Sequence, residues 1–155
     1  MNQLNKSLLS GLTGTATMTM GSTLMSKIFS ENFSEPDHLE TMIARLAPQL
    51  SSRAKTIAGW GAHCAMGIVF ATVFVEIWQT KKIKANWRNA IYLGTVSGVI
   101  GLLIWKTTFK LHPLPPWINY KKYYLQRIPA HIIFAVGATL AYRLAQPQAD
   151  DDDHK

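Results

Sequence analysis

The chain has 155 residues, enough for one domain, with 16 Lys plus Arg against 9 Asp plus Glu and a formal net charge of +7. Charged residues make up 16 %, below the about 25 % usual in soluble domains, and the mean hydropathy of +0.04 averages long uncharged stretches with short charged blocks. This composition excludes a disordered chain, a coiled coil and, with Cys64 the single cysteine, a disulfide scaffold.

Four stretches have the about 20 predominantly apolar residues that a bilayer crossing needs. The first covers residues 7–29, rich in Gly, Thr, Ser and Met, with Lys27 its only charge near the end. It has no clear cleavage site and reads as a retained helix, not a signal peptide. Ser34-Glu35-Pro36-Asp37 then reads as a helix start, Ser34 being the N-cap and Pro36 inside the first turn. An amphipathic helix is predicted over 36–50, with Leu39, Met42, Ile43, Leu46 and Leu50 on one face. It either lies in the membrane interface or packs across the helix ends.

The second and third stretches cover 56–78 and 90–107. Between them lies the densest basic run, Lys81-Lys82-Ile83-Lys84-Ala85-Asn86-Trp87-Arg88. A basic run placed in a short connection between two membrane-length segments, not spread along a groove or a helix face, argues against a nucleic-acid partner. Positive charge concentrated in this short loop places it, and with four spans both termini, on the cytoplasmic side. The next connection holds Pro113, Pro115 and Pro116, which favour an extended turn over a regular helix. The fourth stretch covers 128–145 and is opened by Pro129, a residue tolerated in a first helical turn. Residues 150–155 read as a disordered acidic tail. The expected architecture is therefore all-α: a single transmembrane domain over 1–149, a four-helix bundle in the lipid bilayer with an amphipathic helix in its first long loop.

Small residues recur at helical spacing. Gly59, Gly67 and Ala71 share a stripe with His63, and Gly94, Gly98 and Gly101 line one side of the third span. Such faces let helices approach closely, within one chain or in a homo-oligomer or a complex with other membrane subunits.

No phosphate loop, nucleophile elbow or paired-cysteine metal signature is present. The residues with chemistry are histidines. His63 and His131 enter from the same membrane face at related depths, because the second and fourth spans run in the same direction. His38 and His112 belong to the loops of that face, along with Glu31, Glu35, Asp37 and Glu40. Ionisable side chains within a membrane point to function. Three readings stay open for the two imidazoles: an interhelical hydrogen bond, a haem or transition-metal site to which His112 would add a ligand, and a proton-responsive site. Glu76, near the end of the second span, reads as an ion-pair partner of Lys81 or Lys82, with a proton-relay carboxylate as the alternative. The leading functional expectation is a non-enzymatic accessory component, with metal or haem binding or proton handling by His63 and His131 as the alternative. An enzyme acting on a lipid or quinone is a third class, without a legible nucleophile–base pair.

The turn Leu111-His112-Pro113-Leu114-Pro115-Pro116-Trp117, followed by Ala130-His131-Ile132-Ile133-Phe134, resembles the last third of small bacterial membrane proteins of the YagU-like kind. Gly11-x-x-Gly14-Thr15-Ala16 and Ala62-His63 resemble the same type. The resemblance implies a bacterial inner membrane and a role in acid-stress tolerance, with Pro115, Pro116 and His131 as the matching positions.

Overall fold

The computed structural model describes residues 1–80 and 83–146. Among these residues the chain forms five helices and no strand: α1 (Gln3–Phe29), α2 (Glu35–Leu46), α3 (Ser52–Thr80), α4 (Trp87–Leu111) and α5 (Tyr120–Leu144). Two of them, α3 and α4, are long and apolar enough to cross a membrane. The acidic tail and the Lys81-Lys82 pair lie outside the described residues.

The helix ends follow from local side-chain chemistry. The Asn2, Asn86 and Asn119 side chains accept hydrogen bonds from the backbone N–H groups of Asn5, Asn89 and Lys122, capping α1, α4 and α5. Ser30 closes α1 in the left-handed conformation, φ 51°. Ser34 stands at the N-cap of α2, as its sequence suggests, but makes no side-chain cap bond. This helix stops at Leu46 and does not reach residue 50, because Pro48 disfavours helical geometry at Ala47 before it. The last helix corrects a boundary in the opposite sense. Its start is Tyr120, and Pro129 lies inside it, not at its opening. Pro129 and Leu125, whose carbonyl loses the proline N–H, are both on the exposed side.

The four long helices run alternately up and down. Packing follows the order α3–α1–α5–α4, with α5 also touching α3, while α3 and α4 barely meet. Glycines set the close approaches. A Cβ at Gly94 would lie 2.6 Å from the Ile132 Cα, and one at Gly98 2.7 Å from the Ile128 Cα. The glycine face of α4 is thus used within the chain, against α5. Gly67 gives room to Thr15, Gly59 to the Pro36 carbonyl of α2, and Ala71 is fully buried.

One end of the bundle is closed by α2, which packs on α3 with Pro36, His38 and Met42 buried. It is also fastened to the proline turn. Arg45 donates to the carbonyls of Leu114 and Pro115, and His112 Nε2 donates to the Met42 carbonyl at 3.2 Å. Beneath α2 lies an aromatic cluster of Trp105, Phe109 and Tyr123, with ring centroids 5.0–5.5 Å apart. Of the two placements the sequence left open, α2 packs across the helix ends, leaving Leu46 and Leu50 exposed.

Candidate functional site

The gap between α3 and α4 forms a cavity of about 180 Å³ under α2. His63 and His131 both line it, with Gly67 and Gly101 from the two glycine stripes and Glu35 from the first turn of α2. The shared entry side of α3 and α5 brings the two histidines to one place.

Each imidazole is held differently. His63 Nε2 lies 3.1 Å from Thr19 Oγ1, and that hydroxyl donates to the Thr15 carbonyl at 2.9 Å. In the tautomer that carries its proton on Nε2, His63 donates to the Thr19 oxygen and keeps a lone pair on Nδ1. Among the described residues the His131 side chain makes no hydrogen bond. Its Nδ1 is buried without a partner, and its ring meets Phe70 edge-on at 5.0 Å. Gly101 makes the space, since a Cβ there would lie 2.5 Å from His131 Nε2.

Glu35 and Arg127 form the polar roof. They are 2 % and 0 % exposed and pair directly, Arg127 donating through Nη1 to Glu35 Oε1. Arg127 Nη2 donates to the Phe33 carbonyl at 3.0 Å and to Gln126 Oε1, and the guanidinium lies 4.1 Å from the Tyr123 ring centroid. Gln126 in turn donates to Ser22 Oγ at 3.1 Å. The second carboxylate oxygen, Glu35 Oε2, has no partner. The sequence places both charges on one face of the bundle, but a helix starting at residue 128 leaves Arg127 in a loop. Only the longer α5 carries it two turns inside, where Glu35 meets it.

His112 is not at the cavity. Both its nitrogens are engaged by backbone, Nε2 donating to Met42 and Nδ1 accepting from Leu114 N–H at 3.1 Å. His38 packs against Tyr123 and donates through Nε2 to the Asn32 carbonyl. Burial pushes its pKa below 6.5, opposed by that hydrogen bond, with Arg127 lowering it further and Asp37 and Glu35 raising it. Glu76 accepts from Gln3 Nε2 at 2.6 Å. Among the described residues no three His, Cys, Asp or Glu side chains are grouped closely enough to hold a metal ion. The cavity has room for one six-membered ring, since about 150 Å³ accepts benzene, and this is too little for a porphyrin.

No family model, curated protein or solved structure matches the chain, so its functional reading rests on its own residues.

Proposed function

We propose that this is a multi-pass integral membrane protein whose four long helices cross the bilayer, and that it serves as a non-enzymatic binding component. The cleft between α3 and α4 is its binding site. The observation that supports this reading is the reversal of the usual polarity. Ser7, Ser10, Thr15, Ser22, Ser97 and Thr139 are buried between helices, while Leu12, Leu24, Val69, Val73, Ile100 and Leu103 are exposed. No more than 33 % of the most apolar stretch of α3 or of α4 is buried. In water that would be a large exposed apolar surface. In lipid it is solvated, and small or hydroxyl-bearing residues between helices are the expected contacts. α1 and α5 are less apolar because they stand inside the row and show less surface to lipid. At about 1.5 Å per residue, the 25 residues of α4 extend past a hydrocarbon core of about 30 Å.

The resemblance to YagU-like proteins is what points to a bacterial inner membrane and an accessory role in acid stress. The basic second loop favours the side of both termini as cytoplasmic. Single cysteines introduced in a Cys64→Ser background test the topology with an impermeant maleimide. Asn2→Cys and Asn86→Cys are expected to label from one side of the membrane, and Ser51→Cys and Leu114→Cys from the other. Labelling of all four from one side refutes the four-span reading.

A further inference from the structure

We infer that the α3/α4 cleft binds a lipophilic phenol, a single hydroxylated aromatic ring whose apolar tail leaves sideways into the bilayer. This rests on the membrane reading above and deepens it. Size comes first. A cavity of about 180 Å³ takes one ring and little more, by comparison with the about 150 Å³ that holds benzene. The walls suit such a ring, with Phe70, Phe134 and Trp105 offering aromatic faces and edges, and Met18 and Met66 offering sulfur.

The polar groups then select the substituent. His63, donating from Nε2 to Thr19, keeps a lone pair on Nδ1 in that tautomer. His131 is 5 % exposed with Nδ1 unpartnered, and a neutral imidazole always keeps one acceptor nitrogen. Glu35 is 2 % exposed with Oε2 unpartnered. Each of the three presents an acceptor, His131 an N–H donor beside it, and a buried acceptor left unpaired costs stability until a donor arrives. The head must also be neutral. Glu35, the charged residue of the lining, is already balanced by Arg127, so the cleft holds no uncompensated charge for a cationic head and an anionic one would meet the carboxylate. A hydroxyl on an aromatic ring satisfies size, wall chemistry, donor requirement and charge together.

Access is lateral. The cavity lies between the two most apolar helices, which barely touch, and Met66 and Ile104, exposed residues of its lining, mark the opening toward lipid.

The test compares 4-nonylphenol with 4-nonylanisole, the same ring and tail without the donor. The full-length protein in detergent is titrated with each, and binding is read from the rise in Tm with concentration. The phenol is expected to bind at least tenfold more tightly than the ether, the equivalent of one hydrogen bond to a buried acceptor. That ratio is expected to fall toward one in His131→Leu, and both ligands are expected to lose binding in Ile104→Trp. Should His131→Leu fail to fold, the wild-type comparison and the substitution at exposed Ile104 decide. Equal binding of phenol and ether overturns recognition by the acceptors, and no binding of either to folded protein overturns the site. A chain that labels across the membrane and ignores the phenol loses this inference alone. One that fails the labelling loses the membrane reading.

Discussion

Arg127→Met leaves Glu35 buried without its partner, and the cost can be worked out. A buried charge stripped of its partner destabilises by about 3–5 kcal/mol. The carboxyl limits that penalty by taking up a proton, which for an ordinary glutamic acid at pH 7 costs about 3.7 kcal/mol. The Phe33 carbonyl loses its donor, worth about 1 kcal/mol, and the Tyr123 ring loses a desolvated cation 4.1 Å away, worth about 1–2 kcal/mol. The expected loss is about 5–7 kcal/mol. Adding Glu35→Gln to Arg127→Met removes only the charge component, so the double variant should be about 2–4 kcal/mol more stable than Arg127→Met at pH 7. The gap should depend on pH. In Arg127→Met the folded chain holds a proton that the unfolded chain releases above about pH 4.3, so its stability falls as pH rises. Toward pH 5 the gap should close by about 1.4 kcal/mol per unit. SDS titration in mixed micelles at pH 5, 6 and 7 measures all three proteins. Equal stability of single and double variants at pH 7, or a gap indifferent to pH, refutes the assignment of Glu35 as a charge neutralised by Arg127.

Gly98→Ala should destabilise by about 2 kcal/mol or more, because its Cβ would meet backbone 2.7 Å away and force α4 from α5. Gly61→Ala, with nothing within 4 Å, should stabilise by about 1 kcal/mol, and unfolding of the two variants side by side checks the contrast. Because burial lowers the His38 pKa, the unfolded chain binds the extra proton first as pH falls below 6.5. Stability should drop there, by no more than about 1.4 kcal/mol per pH unit, and comparing Tm at pH 7.5 and 5.0 should show a smaller drop in His38→Phe. Ser30→Gly should raise stability by about 1 kcal/mol, since Ser30 is exposed and holds φ at 51°; no change in the SDS midpoint would argue against strain at that cap.

The helices were legible because each carries its own pattern: apolar runs for α3 and α4, a helical apolar stripe behind Ser34-Glu35-Pro36 for α2, and prolines between α4 and α5. The shared face of His63 and His131 was legible too, since alternation of direction decides which residues enter together. Arg127 was not. Proline is a frequent first-turn residue, and Pro129 drew the start of α5 toward itself, whereas Asn119 supplies the cap. Nor was Thr19 visible as the partner of His63, because that bond depends on the α1–α3 register set by Thr15 filling the notch at Gly67. A glycine stripe shows that something comes close, not what. Gly94 and Gly98 meet a backbone, whereas Gly101 on the same face meets an imidazole.

Helix order explains why the cavity exists at all. α5 buries residues against α1, α3 and α4, and small side chains such as Ala130, Ala135 and Ala138 allow it to stand among them. With α1 and α5 inside the row, the most apolar helices are left at its two ends. There each shows the most outer surface, which under the proposed membrane reading meets lipid, where apolar residues cost least. The same order leaves α3 and α4 facing each other across a gap, with Met66 and Phe70 on one wall and Ile104 and Trp105 on the other. Closure at one end falls to α2, the one connection long enough to form a helix there, and α2 brings Glu35 with it. Glu35 could not remain buried in that position alone, so Arg127 must reach it from α5. The buried pair, the capping helix and the vacant acceptors of the cleft are therefore consequences of one arrangement. A change that pulled α2 from the proline turn, by removing Arg45 from the Leu114 and Pro115 carbonyls, would be felt at His63 and His131.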